Sequence, residues 1–279
     1  MSSPAILRYT AFTDDPEGGN PAGVVLDASA LSEAEMQKIA ADLGYSETAF
    51  ATKRADGAYD VRYFSPAAEV PFCGHATIAT GVALAEREGP GLRTFHTPAG
   101  TVPVRTDERD GAITATLTSV VPHVEPVPND LQDQALHALG YAEEDLDPDL
   151  PPRIGFAGAR HLILSANSRE RLSRLDYDFE ALKQAMLAHD ITTVDLVYRE
   201  DERTYHARNP FPVGGVVEDP ATGAAAAAFG AYLRELRLVT PPTTVTIHQG
   251  VDMGRPSLLT VEIRDDREEI SVSGRAVAM

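Results

Sequence analysis

The stretch Glu69-Val70-Pro71-Phe72-Cys73-Gly74-His75-Ala76-Thr77 reads as a loop that turns into a helix. Pro71 fixes the entry, Gly74 presents no side chain to a ligand, and the run from Ala76 to Glu88 is Ala-rich and free of Pro. A His and a thiol therefore sit where the first helical turn begins. First-turn amides have no intrahelical acceptors, so such a place suits an anionic group. A second copy lies downstream as Glu218-Asp219-Pro220-Ala221-Thr222-Gly223-Ala224-Ala225, running into a helix that ends near Leu236. Sliding the chain by 149 positions puts Glu69 on Glu218, Pro71 on Pro220, Gly74 on Gly223, Gly81 on Gly230 and Leu84 on Leu233, among eight identities in eighteen positions. A single duplication of about half a chain implies two related domains, not a repeat array. Two such helix starts facing one cleft would hold a small anion from both sides.

At 279 residues, 43% of them hydrophobic, the chain has material for two ordinary domains with full cores. The formal charge of −18 argues against nucleic acid and anionic membrane as partners, because both select clustered Lys and Arg. It leaves room for a small anionic metabolite held by local amides. One Cys excludes an internal disulfide and a four-Cys metal site, and fits a reducing cytoplasm. No signal peptide and no membrane span are expected. P-loop, Gly-rich dinucleotide, HExxH and GxSxG patterns are all missing, so nucleotide, zinc-protease and serine-hydrolase chemistry have little support.

Taken in order, Ile6–Phe12 has strand character, Gly18–Gly23 reads as a loop and Val24–Leu26 as a short strand. Ser32 followed by Glu35 is a capping box, and the helix it opens ends near Gly44. Strands are predicted at Tyr59–Phe64, Arg93–Thr97, Thr101–Thr106 and Ala112–Thr118. The Pro- and Asp-rich stretch Val121–Pro152 reads as a crossover between domains, with a helix over Leu131–Leu139. Strands follow at His161–Leu164, Val194–Tyr198, Thr204–Arg208, Val245–Ile247, Leu258–Ile263 and Ile270–Val277, with a helix over Asp178–His189. The expected lobes are residues 1–120 and 121–263, with 264–279 available to complete the first. Each is a set of strands around one small-residue helix.

Glu47 stands between a helix end and the apolar Ala49 and Phe50. It is either a partly desolvated acid/base or a turn residue tying down its loop. His75 and Asp219 lie at nearly matching places on the two copies; each alone has a plain helix-start role, and together they point to one shared site. Cys73 is either a thiolate at a helix start or a small buried residue, and its duplicated partner is Thr222. Asn20 and Gly23 look like turn residues that also expose amides. Glu47, His75 and Asp219 are far apart in sequence and no helical i, i+4 ligand pair occurs, so no metal site is expected.

The segments Gly19-Asn20-Pro21-Ala22-Gly23-Val24, Ser46-Glu47-Thr48-Ala49-Phe50, Pro71–Thr77, Glu218–Gly223 and Gln249-Gly250-Val251-Asp252-Met253-Gly254-Arg255-Pro256-Ser257 together resemble the phenazine-biosynthesis PhzF-like family. The resemblance covers essentially the whole chain in the same order. It implies an α/β (α+β) fold of the diaminopimelate-epimerase-like kind: two pseudo-symmetric lobes, each a curled, mostly antiparallel sheet around a central helix, with the active site between them. It implies a homodimeric, cofactor-independent isomerase, the best-known activity being isomerisation of trans-2,3-dihydro-3-hydroxyanthranilate. Glu47 maps onto the family's catalytic Glu, and His75 and Asp219 onto the assisting groups. Asn20, Gly74, Thr77, Thr222, Gly223 and Ala224 fall at substrate-lining positions. The family commonly has Ser where this chain has Ala224, so a hydroxyl that would orient substrate is missing. Two other functions stay open: a binding protein of the same fold without turnover, and a racemase or epimerase. A two-thiol epimerase is excluded by the single Cys.

Overall fold

A computed structural model describes residues 4–279. It divides into two compact units, residues 4–118 with 271–279, and residues 119–270. The first runs β1 (Leu7–Ala11), β2 (Asn20–Val25), α1 (Glu33–Leu43), β3 (Glu47–Lys53), β4 (Tyr59–Phe64), β5 (Glu69–Val70), α2 (Gly74–Glu88), β6 (Gly91–Thr97), β7 (Gly100–Arg109) and β8 (Ala112–Thr118). The second runs β9 (His123–Pro126), α3 (Asn129–Leu139), β10 (Arg153–Phe156), β11 (Arg160–Ser165), α4 (Arg169–Ser173), α5 (Phe179–Ala188), β12 (Thr193–Arg199), β13 (Thr204–Phe211), β14 (Val216–Asp219), α6 (Gly223–Glu235), β15 (Thr243–Gln249) and β16 (Ser257–Ile263). The last strand, β17 (Ser271–Ala278), belongs to the first unit. Among the described residues no helix is long and apolar enough to cross a membrane.

In the first unit the strands close on themselves. β4 pairs with β3, β3 with β2, β2 with β1, β1 with β17, β17 with β8, β8 with β7, β7 with β6, and β6 with β4 again. The ring is antiparallel except at β2–β3 and β4–β6. α2 runs inside it, which is why every residue from Gly74 to Ala85 is buried. A helix enclosed on all sides needs small residues all round. Its two interior threonines satisfy their hydroxyls on the helix itself, Thr77 on the Cys73 carbonyl at 2.7 Å and Thr80 on the Ala76 carbonyl at 2.7 Å. α1 is held at its start by Ser32 and Glu35 in a full capping box, and it ends on Gly44 at φ 69°.

The second unit repeats this plan. β10, β11, β12, β13, β15 and β16 pair in that succession, parallel at β11–β12 and β13–β15 and antiparallel elsewhere, with β14 a short hairpin partner of β13 as β5 is of β4. α6, buried from Ala225 to Leu233, takes the place of α2. The duplicated residues have duplicated jobs. Arg62 on β4 grips Glu69 on β5 through two bonds of 2.6 Å, and Arg208 on β13 grips Glu218 on β14 through bonds of 2.9 and 2.5 Å. In each case the Arg lies two residues before the strand partner of the Glu. A Cβ at Gly81 would lie 2.9 Å from Val104, and one at Gly230 would lie 2.7 Å from Val261, so both helices need glycine to approach their sheets.

Two sequence expectations are corrected. The Gly18–Gly23 loop is strand from Asn20 onward, because β1 and β3 flank it and supply pairing on both sides. Residues 121–152 are not a bare crossover. β9 pairs with β10, and α3 buries Leu131, Ala135 and Leu139, spaced four apart on one stripe, in a core shared with α5 and with Leu162, Leu164, Val194 and Leu196. Of the Asp residues that made the stretch look like a linker, Asp130, Asp133 and Asp149 are exposed, while Asp145 and Asp147 pair with Arg171 and Arg199.

Candidate active site

Glu47 is the first residue of β3 and the parallel partner of Ala22 on β2. That register delivers its carboxylate to the start of α2. Glu47 Oε2 lies 3.5 Å from Cys73 Sγ and 3.5 Å from His75 Nε2. The Cys73 thiol also lies 3.3 Å from His75 Nδ1, and the Ser46 hydroxyl lies 3.3 Å from His75 Nε2. The Glu47 side chain is 15% exposed and that of His75 5%, so the carboxylate is sheltered and still reachable. Asn20, buried at the head of β2, stands two residues before Ala22 and thus on the same face of the strand.

Helix α2 begins at Gly74, with Cys73 as its cap residue in extended conformation and no side-chain cap bond. The loop before it is braced from below. Tyr63 on β4, fully buried, shares a 2.6 Å hydrogen bond with Thr77, whose hydroxyl also donates to the Cys73 carbonyl. Burial holds the Tyr63 phenol above its ordinary range, so it stays a neutral strut. Thr77, expected to line a substrate site, is wholly buried and its hydroxyl is engaged in this brace. It ties the Cys73 carbonyl to Tyr63.

In the second unit Asp219 closes β14 and is 7% exposed. Its carboxylate accepts the Thr222 hydroxyl at 2.5 Å. Gln249, at the end of β15, holds the loop together: its Nε2 donates to the Asp219 carbonyl at 2.8 Å and to the Thr222 hydroxyl at 3.1 Å, while its Oε1 accepts the Thr222 amide at 3.1 Å. Gly250 follows at φ +73°, and a Cβ there would lie 2.3 Å from the Arg255 carbonyl and 2.7 Å from that of Pro220. Only glycine fits such a place. Thr222 caps α6, Gly223 opens it, and half-buried Ala224 follows in the first turn.

A buried polar chain adjoins Asp219. Asn209 on β13 is its strand partner. The Asn209 amide donates to Asp195 at 2.9 Å, and its carbonyl accepts the Thr193 hydroxyl at 2.9 Å. That hydroxyl accepts the His161 Nδ1 hydrogen at 2.8 Å, which fixes the tautomer and leaves Nε2 buried without a partner. Burial lifts the Asp195 carboxyl to about 7 against the opposing pull of Asn209, and pushes the His161 imidazole down to about 3.

The structure thus brings Glu47, His75 and Cys73 into one cluster, and Asp219, Thr222 and Gln249 into another. Sequence reasoning left Cys73 undecided between reactive and packing roles. It is buried, yet its thiol touches both neighbouring candidates. Gln249 was noted only as part of a motif, and the His161–Asp195 chain was missed entirely. The alternation of polar residues in Thr193-Val194-Asp195-Leu196 is the one signal that could have found the latter.

A profile of the family described as phenazine biosynthesis-like protein, PhzC-PhzF, matches residues 9–279. The chain is 33% identical to YfhB, an uncharacterized isomerase of Bacillus subtilis, over 99% of this chain and 97% of the relative. It is 32% identical to the trans-2,3-dihydro-3-hydroxyanthranilate isomerase of Pseudomonas fluorescens, over 96% of this chain and 94% of that one. A crystal structure of the Bacillus anthracis phenazine biosynthesis protein of the PhzF family matches with a TM-score of 0.89 at 28% identity, covering 100% of this chain and 98% of that one. Sequence and fold agree along the whole chain, with the duplicated loops included, and the chain therefore belongs to the phenazine biosynthesis-like PhzC-PhzF family.

Proposed function

We propose that this protein is a cofactor-independent isomerase that moves a proton between carbons of a small carboxylate-bearing metabolite. Its chemistry is of the kind named for the Pseudomonas fluorescens relative. The observation that carries the residue assignment is the Glu47 carboxylate within 3.5 Å of Cys73 and His75 at the start of a buried helix. Glu47 takes a proton from a carbon conjugated with the substrate carboxylate, and the electron pair left behind spreads into that conjugated system. The neutral Glu47 then delivers the proton to a second carbon and returns to its starting charge. His75 and Asp219 bind polar substituents, and Asn20, Gly74, Thr222, Gly223 and Ala224 line the substrate. Amides at the helix start stabilise the negative charge that develops.

The geometry disfavours Glu47 and Cys73 as an epimerase pair. Two bases that invert a carbon must stand on opposite sides of it, and a 3.5 Å separation leaves no room for a carbon between them. Return of the proton on one face is what a single carboxyl can do. A cytosolic homodimer completes the proposal.

The test is solvent exchange. Candidate carboxylates are incubated with the protein in D₂O, and deuterium incorporation is read by mass spectrometry. Positioned proton transfer contributes about 10²–10⁴ in rate, so Glu47→Gln should lose roughly that much while still binding ligand. Binding without exchange in the unchanged protein would replace the isomerase with a binding protein.

A further inference from the structure

We propose that Glu47, Cys73 and His75 form a binding site for a thiophilic divalent cation of the Zn²⁺ type. Among the described residues this is the one group of three His, Cys, Asp or Glu side chains whose donor atoms converge within 4.8 Å. The sequence expectation weighed Glu47 and His75 with Asp219. The third donor is Cys73 instead, which the fold brings in from the cap of the same helix.

The distances between the donors decide the matter. Bonds of about 2.0–2.3 Å to O, N and S at tetrahedral angles place neighbouring donors about 3.3–3.6 Å apart. Here Oε2 of Glu47 lies 3.5 Å from Cys73 Sγ and 3.5 Å from His75 Nε2, and Sγ lies 3.8 Å from that Nε2. The three atoms already form one face of a coordination tetrahedron, and closing it needs a movement of a few tenths of an ångström. Three protein donors leave the fourth position for water or a substrate oxygen. A mixed sulfur, nitrogen and oxygen set selects Zn²⁺ or Co²⁺ over Mg²⁺ and Ca²⁺, which take oxygen alone. The Cys73 thiol gives up its proton to solvent as the S–metal bond forms, and His75 Nε2 exchanges its contact with Ser46 for the metal.

The consequence for activity rests on the isomerase reading above. A cation on Oε2 stabilises the charged carboxylate and lowers its basicity at both oxygens, so metal binding suppresses turnover. Binding itself does not depend on that reading.

The test uses Co²⁺ and Zn²⁺ alone with the full chain. The protein has one Cys and 42 acidic residues, so a thiolate-to-cobalt charge-transfer band reports Cys73 and no other site, whatever surface carboxylates bind. One Co²⁺ per chain should give that band together with the intense visible absorption of tetrahedral cobalt, and Zn²⁺ should erase both. Cys73→Ser should remove the band, and His75→Ala should weaken Zn²⁺ binding by about 100-fold or more while circular dichroism shows the fold intact. Cobalt that binds without the sulfur band, or no binding at millimolar metal, overturns the site. Tight binding with isomerisation unimpaired would uphold the site and overturn the role of Glu47 as base.

Discussion

Replacing Asp195 by Asn should make the protein more stable at neutral and alkaline pH, and leave it nearly unchanged in acid. Asp195 is 2% exposed, and its hydrogen-bond partner there is the Asn209 amide. Burial raises its carboxyl from the ordinary 3.8 to about 7. Below 3.8 the group carries its proton in both folded and unfolded chains and adds no pH dependence. As pH rises the unfolded chain releases the proton first, while the folded chain keeps it until about 7. Stability therefore falls across that window and levels off above it. A gap of about three pH units at about 1.4 kcal/mol each makes the loss about 4 kcal/mol. Asn at this position accepts the same bond from Asn209 and has nothing to ionise. His161 works in the opposite sense: its imidazole is pushed from 6.5 to about 3, so its contribution falls as pH drops through that range. It is common to both proteins and drops out of the comparison. Urea unfolding between pH 4 and 8, followed by far-ultraviolet circular dichroism because the chain has no Trp, measures the difference. Parallel stability curves for the two proteins would refute the reasoning, since Asp195 would then titrate alike in both states.

The two Arg–Glu forks should differ in worth although they occupy matching places. Arg208→Met strands Glu218 in a pair whose side chains are 9% and 5% exposed, and should destabilise by about 3–5 kcal/mol. Arg62→Met, in a pair 33% and 28% exposed, should lose about 1 kcal/mol in the same urea assay. Cys73→Ser should keep most isomerase activity, because in the proposed mechanism Glu47 carries the proton and the thiol only borders it; an inactive Cys73→Ser beside an active Glu47→Gln would transfer the base to sulfur. Light scattering should give twice the 29.9 kDa chain mass for the proposed homodimer, and a monomer peak would remove that part of the reading.

The amino-acid order by itself determined the parts of this protein that depend on near neighbours. Ser32 and Glu35 announce a helix start, and Gly44 its end, because caps are satisfied within a few residues. The small-residue runs after Gly74 (Ala and Thr) and Gly223 (Ala) announce helices that must be enclosed, since they have no continuous polar side. The matched spacing of Glu, Pro, Gly and Leu announced two copies of one plan. The tertiary structure decided what those copies are for. Glu69 and Glu218 are identical because each grips an Arg on the neighbouring strand, and Gly81 and Gly230 because each helix leans on its sheet. Strand register decided the rest. It set Glu47 against Cys73, 26 residues away, and joined His161 to Asp195 through Thr193 and Asn209. Such contacts follow from which strands pair and at what offset. A shift of one residue would turn every one of those side chains to the opposite face, and no local pattern records the offset.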